Sequence, residues 1–163
     1  MNRRKFLQLS GATLGAVALS SQLSSSFAQD AAAEVATPVD DVADVDNLNP
    51  ALEEALGINF DALEASDLVH INAPTIAESG ANVPLEIMVD VPPSDLKAIH
   101  AFVDRNPLPH IFSVSFGPIL DQSYFTTRIR IAETAPIRVI AETNDGKYLL
   151  ASAVTRVTVG GCG

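Results

Sequence analysis

Ile137-Arg138-Val139-Ile140-Ala141-Glu142-Thr143 and Tyr148-Leu149-Leu150-Ala151-Ser152-Ala153-Val154-Thr155-Arg156-Val157-Thr158-Val159 flank Asn144-Asp145-Gly146-Lys147. Two alternating runs joined through Asp-Gly predict a β-hairpin, because both central turn positions tolerate positive φ. The period of two recurs upstream. Tyr124 to Ile131 sets Phe125, Thr127, Ile129 and Ile131 against Tyr124, Thr126, Arg128 and Arg130. Val83, Leu85, Ile87, Val89 and Val91 alternate with Pro84, Glu86, Met88 and Asp90, and Pro84 marks an edge or a strand start. Asp67 to Ile71 is a short strand. Lys97 to Asp104 places Ile99, Ala101 and Val103 on one face, and His110 to Phe116 is closed by Gly117-Pro118. Ala73 to Asn82 reads as an irregular connection. About seven short strands with regular turns predict an all-β fold, an immunoglobulin-like β-sandwich. The chain has no tryptophan and no cysteine pair, which excludes an antibody-type domain.

Ahead of the strands, Asn49 is read as an N-cap and Pro50 as the first helical turn, with Leu52 and Leu56 forming one stripe and Gly57 ending the helix. A second helical turn is expected around Asp61-Ala62-Leu63-Glu64. Residues 29–47, rich in Ala, Asp, Val, Pro and Thr, show no period and read as an acidic flexible segment. The sandwich domain is expected to span residues 48–159.

The first residues carry a different signal. Arg3-Arg4-Lys5-Phe6-Leu7 precedes a short small-residue and apolar run, and Ser26-Phe27-Ala28 offers a cleavage site. Residues 1–28 therefore read as a twin-arginine export signal, and the expected compartment is the periplasm. The run is too short and glycine-rich to span a bilayer. Cleavage after Ala28 removes Arg3, Arg4 and Lys5 and no acid, so the formal charge moves from −10 to −13. Such a chain repels nucleic acid and anionic lipid, and neither a nucleic-acid nor a membrane partner is expected.

The last strand runs into Gly160-Gly161-Cys162-Gly163. Cys162 is the single cysteine, so no internal disulfide can form in an oxidising compartment. Glycines leave the backbone thin and permissive. Four extended residues reach about 14 Å past the strand. Residues 160–163 read as a slender swinging arm with Gly160, Gly161 and Gly163 as pivots and a nucleophilic sulfur near its tip. The alternative is a frayed terminus with an incidental thiol.

These features together resemble one family. The chain is similar to SoxY, the sulfur-carrier subunit of the periplasmic thiosulfate-oxidising system. The resemblance is carried by Pro74-Thr75-Ile76-Ala77-Glu78-Ser79-Gly80-Ala81-Asn82-Val83-Pro84, Asp104-Arg105-Asn106-Pro107 and Thr127-Arg128-Ile129-Arg130. It continues through Ala141-Glu142-Thr143-Asn144-Asp145-Gly146-Lys147-Tyr148 and ends at Val157 to Gly163. The family usually ends Gly-Gly-Cys-Gly-Gly, one glycine longer than the tail here. The resemblance implies Cys162 as the covalent attachment point for sulfur. It implies thiosulfate joined oxidatively to that cysteine by a c-type cytochrome partner, sulfate released by hydrolysis, and the remaining sulfane sulfur oxidised by further Sox enzymes that bind transiently. It also implies a heterodimer with SoxZ, a second β-sandwich. The protein would then be a carrier and no enzyme, with no catalytic residue and no cofactor beyond sulfur held at Cys162.

The residues themselves agree with a carrier. An exposed thiol titrates near about 8.5, and no Lys or Arg adjoins Cys162, so the thiolate is expected to form inside a partner's site. Two alternatives stand beside it. An exported thiol oxidoreductase would need a resolving cysteine or a positive pocket. A structural sandwich would use Cys162 for an intermolecular disulfide, and a disulfide homodimer is also expected of an exposed carrier thiol. No metal is expected. His70, His100 and His110 show no ligand spacing and read as strand or turn residues. Asp40, Asp41, Asp44 and Asp46 lack the glycine and glutamate of a calcium loop. Ser113, Ser115 and Ser123 sit in no nucleophile elbow. Arg128 and Arg130 share a face that is either solvated or turned to a partner.

Overall fold

A computed structural model of the chain describes residues 42–117 and 120–159. The export signal, most of the acidic segment, residues 118–119 and the whole arm, Cys162 included, lie outside the described residues.

Among the described residues, nine strands follow one α-helix. Helix α1 is Val45–Leu56, and a 3-10 turn follows at Phe60–Ala62. The strands are β1 (Glu64–Ala65), β2 (Val69–Asn72), β3 (Ile76–Ser79), β4 (Val83–Val89), β5 (Leu96–Val103), β6 (His110–Val114), β7 (Ser123–Ile129), β8 (Ala135–Thr143) and β9 (Tyr148–Val159). The larger sheet runs β1-β9-β8-β5-β6, with β3 also on β9, and the smaller runs β2-β4-β7. Two sheets, mostly antiparallel, make the expected sandwich.

The core follows from the alternation. On β4, Val83, Leu85, Ile87 and Val89 are buried, and the residues between them are exposed. They meet Ile99 and Val103 of β5, Ile137, Val139 and Ala141 of β8, and Leu149 of β9. Pro84 is the second residue of β4, and β2 pairs only with Glu86 to Val89. Its missing N–H therefore falls where no strand flanks that side. The hairpin closes as the sequence indicates. Gly146 takes φ 84°, and Thr143 and Gly146 donate to Lys147 O and Thr143 O, both at 3.0 Å.

Four features differ from the sequence expectation. The helix starts a turn early. Asp44 is its N-cap, accepting from Asn47 N at 3.3 Å, so residues 45–47 are helical and not part of a flexible segment. The cause is tertiary: Asn47 Nδ2 donates to Asp104 O (2.7 Å) and Asn106 O (3.0 Å), and Leu48 is buried. Pro50 consequently lies inside the helix. Asn49 is not the cap; its Oδ1 accepts from Phe60 N at 2.9 Å and braces the 3-10 turn. Second, the buried stripe is Leu48 and Leu52, with Leu56 packed beside it. Gly57, at φ 70°, ends the helix as expected. Third, the connection 73–82 contains β3. Fourth, β1 adds to the outer edge of β9 at Glu64–Ala65.

The centre of the larger sheet is buried on both faces. All nine residues of β8 are buried. Helix α1 lies over its outer face, where Leu48 and Leu52 pack on Phe102, Ile140 and Leu150. Beside this second core sits a buried ion pair. Arg138 Nε is 3.2 Å from both oxygens of Asp104, and Nη2 is 3.1 Å from Oδ2. Arg138 also donates to Ser152 Oγ at 3.0 Å and lies 5.9 Å over the Phe60 ring. Asp44 N reaches Asp104 Oδ2 at 3.3 Å. One carboxylate thus joins the helix entry to β8, and through Arg138 to β9.

A second polar group lies further along the same face. His100 Nδ1 is 2.7 Å from Ser113 Oγ, which is also 3.0 Å from His110 Nε2. His100 Nε2 is buried 3.4 Å from Glu142 Oε2 and makes no hydrogen bond. Glu142 accepts from Lys97 Nζ at 2.6 Å and from the Tyr148 hydroxyl at 3.4 Å. Burial holds the His100 imidazole below its ordinary 6.5, against the pull of Glu142. Burial opposes ionisation of Glu142, yet the bond from Lys97 and the nearby His100 hold its carboxyl below the usual range.

Two outcomes follow from these groups. Arg138→Met leaves Asp104 buried without its counter-charge and should cost about 3–5 kcal/mol in urea unfolding; a loss below about 1 kcal/mol would show the pair to be dispensable. The unfolded chain takes up a proton near pH 6.5 that folded His100 refuses, so stability is full above that pH and falls as the pH drops below it. Glu142 adds a further loss as pH falls through the carboxylate range. His100→Asn should flatten the fall between about pH 6.5 and 5 in thermal melts; an unchanged profile would remove His100 from the cause.

Candidate functional site

Strand β9 delivers the cysteine tail, and its last residues are held from both edges. On one edge β3 pairs parallel, with Ile76 opposite Arg156, Ala77 opposite Val157 and Ser79 opposite Val159. Side chains reinforce the register. Thr155 Oγ1 donates to Pro74 O at 2.9 Å, and Thr158 Oγ1 donates to Glu78 O at 3.0 Å. Arg156 N donates to Thr75 O at 2.8 Å. On the other edge β8 has ended at Ala135, and Val157 N donates instead to Thr134 Oγ1 at 3.0 Å. An isolated strand end would fray. Here the pairing extends to Val159, three residues before Cys162.

The loop beneath this root is fixed as tightly. Ile131 N donates to Gly80 O at 2.7 Å. A Cβ at position 80 would overlap Ile131 O, so any side chain there forces the two backbones apart. Asn106 spans the same loop, donating to Arg130 O at 2.9 Å and accepting from Ala132 N at 2.8 Å. Arg105 Nη1 donates to Thr134 O at 2.7 Å.

These contacts assign physical roles to blocks that the sequence shows only as motif. Residues 74–84 supply β3, the Gly80 contact and the start of β4. Asp104-Arg105-Asn106 ties α1, the β7–β8 loop and β8 together. Residues 141–148 are the hairpin. The sequence offers no hint that 74–82 would pair with the last strand, because four residues in the pattern exposed-buried-exposed-exposed carry little periodic signal.

Gly160, Gly161, Cys162 and Gly163 lie outside the described residues, so the site is defined by its root. The other chemistry-bearing residues are structural or exposed. His70 pairs with Asp90 at 2.9 Å on the surface. Ser123 Oγ donates to Val91 O at 2.7 Å. His100, His110 and Ser113 do meet, which their spacing did not indicate, because β5 and β6 pair His100 with Ser113. Among the described residues no three His, Cys, Asp or Glu side chains are grouped to hold a metal. Among the described residues, three surface clefts lie away from the root. One of about 580 Å³ runs between α1 and Pro107–His110. The others, of about 440 and 410 Å³, lie beside Leu68 and the β8–β9 turn and beside Pro92-Pro93.

Comparison with known proteins places this geometry. No curated protein matches the chain. Among solved structures, the sulfur carrier protein SoxY from Chlorobium limicola f thiosulfatophilum is similar at 26% identity and a TM-score of 0.59, covering 70% of this chain and 98% of its own. A variant of the superoxide reductase (neelaredoxin) from Ignicoccus hospitalis is similar at 14% identity and a TM-score of 0.52, covering 61% of this chain and 98% of its own, and at that identity shares the fold alone. The family model for the sulfur oxidation protein SoxY matches residues 54–162, from the last turn of α1 to the cysteine itself, and the chain belongs to the SoxY family.

Proposed function

We propose that this protein is a covalent carrier of sulfur intermediates in thiosulfate oxidation, with Cys162 as the attachment point. The observation that carries the reading is the root: β9 is registered to Val159 by β3 and Thr134, and Cys162 follows three residues later within the family match. A rigid base with a thin glycine tether suits a group that must enter another protein's site. Gly160, Gly161 and Gly163 act as pivots and contribute no chemistry.

The Cys162 thiol and the sulfane sulfur of thiosulfate form an S–S bond, releasing one proton and two electrons. A c-type cytochrome of the Sox system takes the electrons. Water then cleaves the bond between the sulfane and sulfone sulfurs, sulfate leaves, and a persulfide remains on Cys162 for further oxidation by other Sox enzymes. An ordinary exposed thiol is mostly protonated at neutral pH. The carrier therefore relies on its partners to generate the thiolate, and it needs no catalytic residue or cofactor of its own. A SoxZ-like β-sandwich completes a heterodimer. The twin-arginine pattern of residues 1–28 supports export to the periplasm.

Substitution tests this directly. Cys162→Ser should abolish thiosulfate-dependent reduction of the cytochrome while leaving the melting temperature and partner binding unchanged. Retained turnover would contradict the assignment. Loss of only a disulfide homodimer, with no effect on turnover, would favour the structural alternative.

A further inference from the structure

The chain carries twenty acids against ten bases, so a cation on its surface has carboxylates in plenty to pair with. Several cations do. Lys97 holds Glu142 at 2.6 Å, Lys147 holds Asp145 at 2.9 Å, and buried Arg138 holds Asp104 at 3.1 Å. Arg105, Arg128 and Arg130 are different. Among the described residues none of the three makes an ion pair, although Arg128 and Arg130 are exposed and Arg105 is half-buried.

All three stand at the end of the molecule from which the tail departs. Arg105 donates to Thr134 O, and Thr134 Oγ1 accepts from Val157 N of the last strand. Arg130 precedes Ile131, whose N–H is held by Gly80, the residue after the Ser79 that pairs with Val159. Arg128 lies opposite Pro84, where β4 leaves this junction. The paired lysines lie beside the β8–β9 turn, at the far end of a strand about 35 Å long. Glu78 on β3 and Glu133 on the β7–β8 loop are exposed and form no ion pair with the arginines among the described residues. Three guanidinium groups that pair with no carboxylate among the described residues are available to an anion from outside.

The spread of the three argues for a protein surface over a small ion. They sit on the β5–β6 turn, the outer face of β7 and the β7–β8 loop. Among the described residues, the clefts beside α1, the β8–β9 turn and Pro92-Pro93 are lined by other residues. A small anion requires donors converging on a point, whereas a flat acidic face can meet separated charges. We propose that Arg105, Arg128 and Arg130 form a docking surface for an acidic protein face, the rim of the site into which the tail is delivered. This rests on the carrier reading for its purpose. Opposite charge at the rim would orient the encounter and speed it, and the rest of the acidic surface would repel the same face in other orientations.

The test uses the secreted form carrying Cys162→Ser, so that sulfur chemistry plays no part. Poly-L-glutamate is titrated at low ionic strength, and binding is followed by amide chemical shifts. Shifts should cluster at 105, 128 and 130, and R105Q/R128Q/R130Q should weaken binding at least tenfold. R128Q/R130Q, which touches only exposed side chains, serves if loss of the Arg105 bond to Thr134 unfolds the triple variant. Scattered or absent shifts would overturn the proposal. So would sulfate at equal charge giving the same shifts, which would mean a small-anion site. So would a tenfold gain in affinity on deleting residues 29–41, which would make the chain's own acidic segment the occupant. With Cys162 restored and the c-type cytochrome as partner, the arginine variants should raise KM about tenfold at unchanged kcat. If the wild type gives no turnover, the carrier reading fails while the glutamate titration still decides the docking surface.

Discussion

Pairing of β9 along both of its edges is the constraint on which the rest of the molecule depends. One edge is continuous with β8 from Tyr148 to Thr155. The other is covered by two short parallel strands, β1 near its start and β3 near its end. A terminal strand with a bare outer edge would offer unpaired N–H and C=O groups to any passing strand and would open easily from its free end. β1 and β3 cover the two ends of that edge and lessen both hazards there. The cost is a demanding junction: β3 can reach β9 and still turn into β4 only if Gly80 passes against the Ile131 carbonyl.

That junction rests on the polar group around Asp104 and Asn106. Asp104 is fully buried, which a lone carboxylate could not tolerate. Arg138 and the Asp44 amide bond to it. Such a pair contributes little net stability over an apolar replacement. Its effect is positional. It fixes α1 over the outer face of the larger sheet and, with Asn106 and Arg105, sets the loop that receives Val157. The sandwich core provides the bulk of the burial, and the polar group determines where the tail begins.

Much of this was legible in the sequence, and the exceptions have physical causes. Strict alternation in 83–89 predicted the strand and its buried face, because that face meets the opposite sheet, and the two runs around Asp145-Gly146 predicted the hairpin. On β8 and β5 alternation hid a second covered face. Ile140 and Phe102 stand at outward positions, and only the position of α1 explains why they are buried. The helix start was misplaced because Asn49-Pro50 has good local capping chemistry, while the contacts that favour Asp44 come from residues 104 and 106, about sixty positions away. Strand β3 was read as loop because a four-residue edge strand has too few residues to show a period. The tail motif was legible from composition alone; its anchorage was not, since it depends on Thr134 and Gly80.

A carrier asks little of its own structure beyond a fold that survives and a tether that starts at a fixed point. The sandwich, the clamped last strand and the short glycine tail meet that requirement. The most direct measurement of the central claim is the intact mass of the protein isolated from cells oxidising thiosulfate, taken with and without reductant. The account predicts reductant-labile additions of sulfur or thiosulfate that map to Cys162. A Cys162 that stays unmodified during turnover, or carries only a disulfide to a second copy, would contradict it.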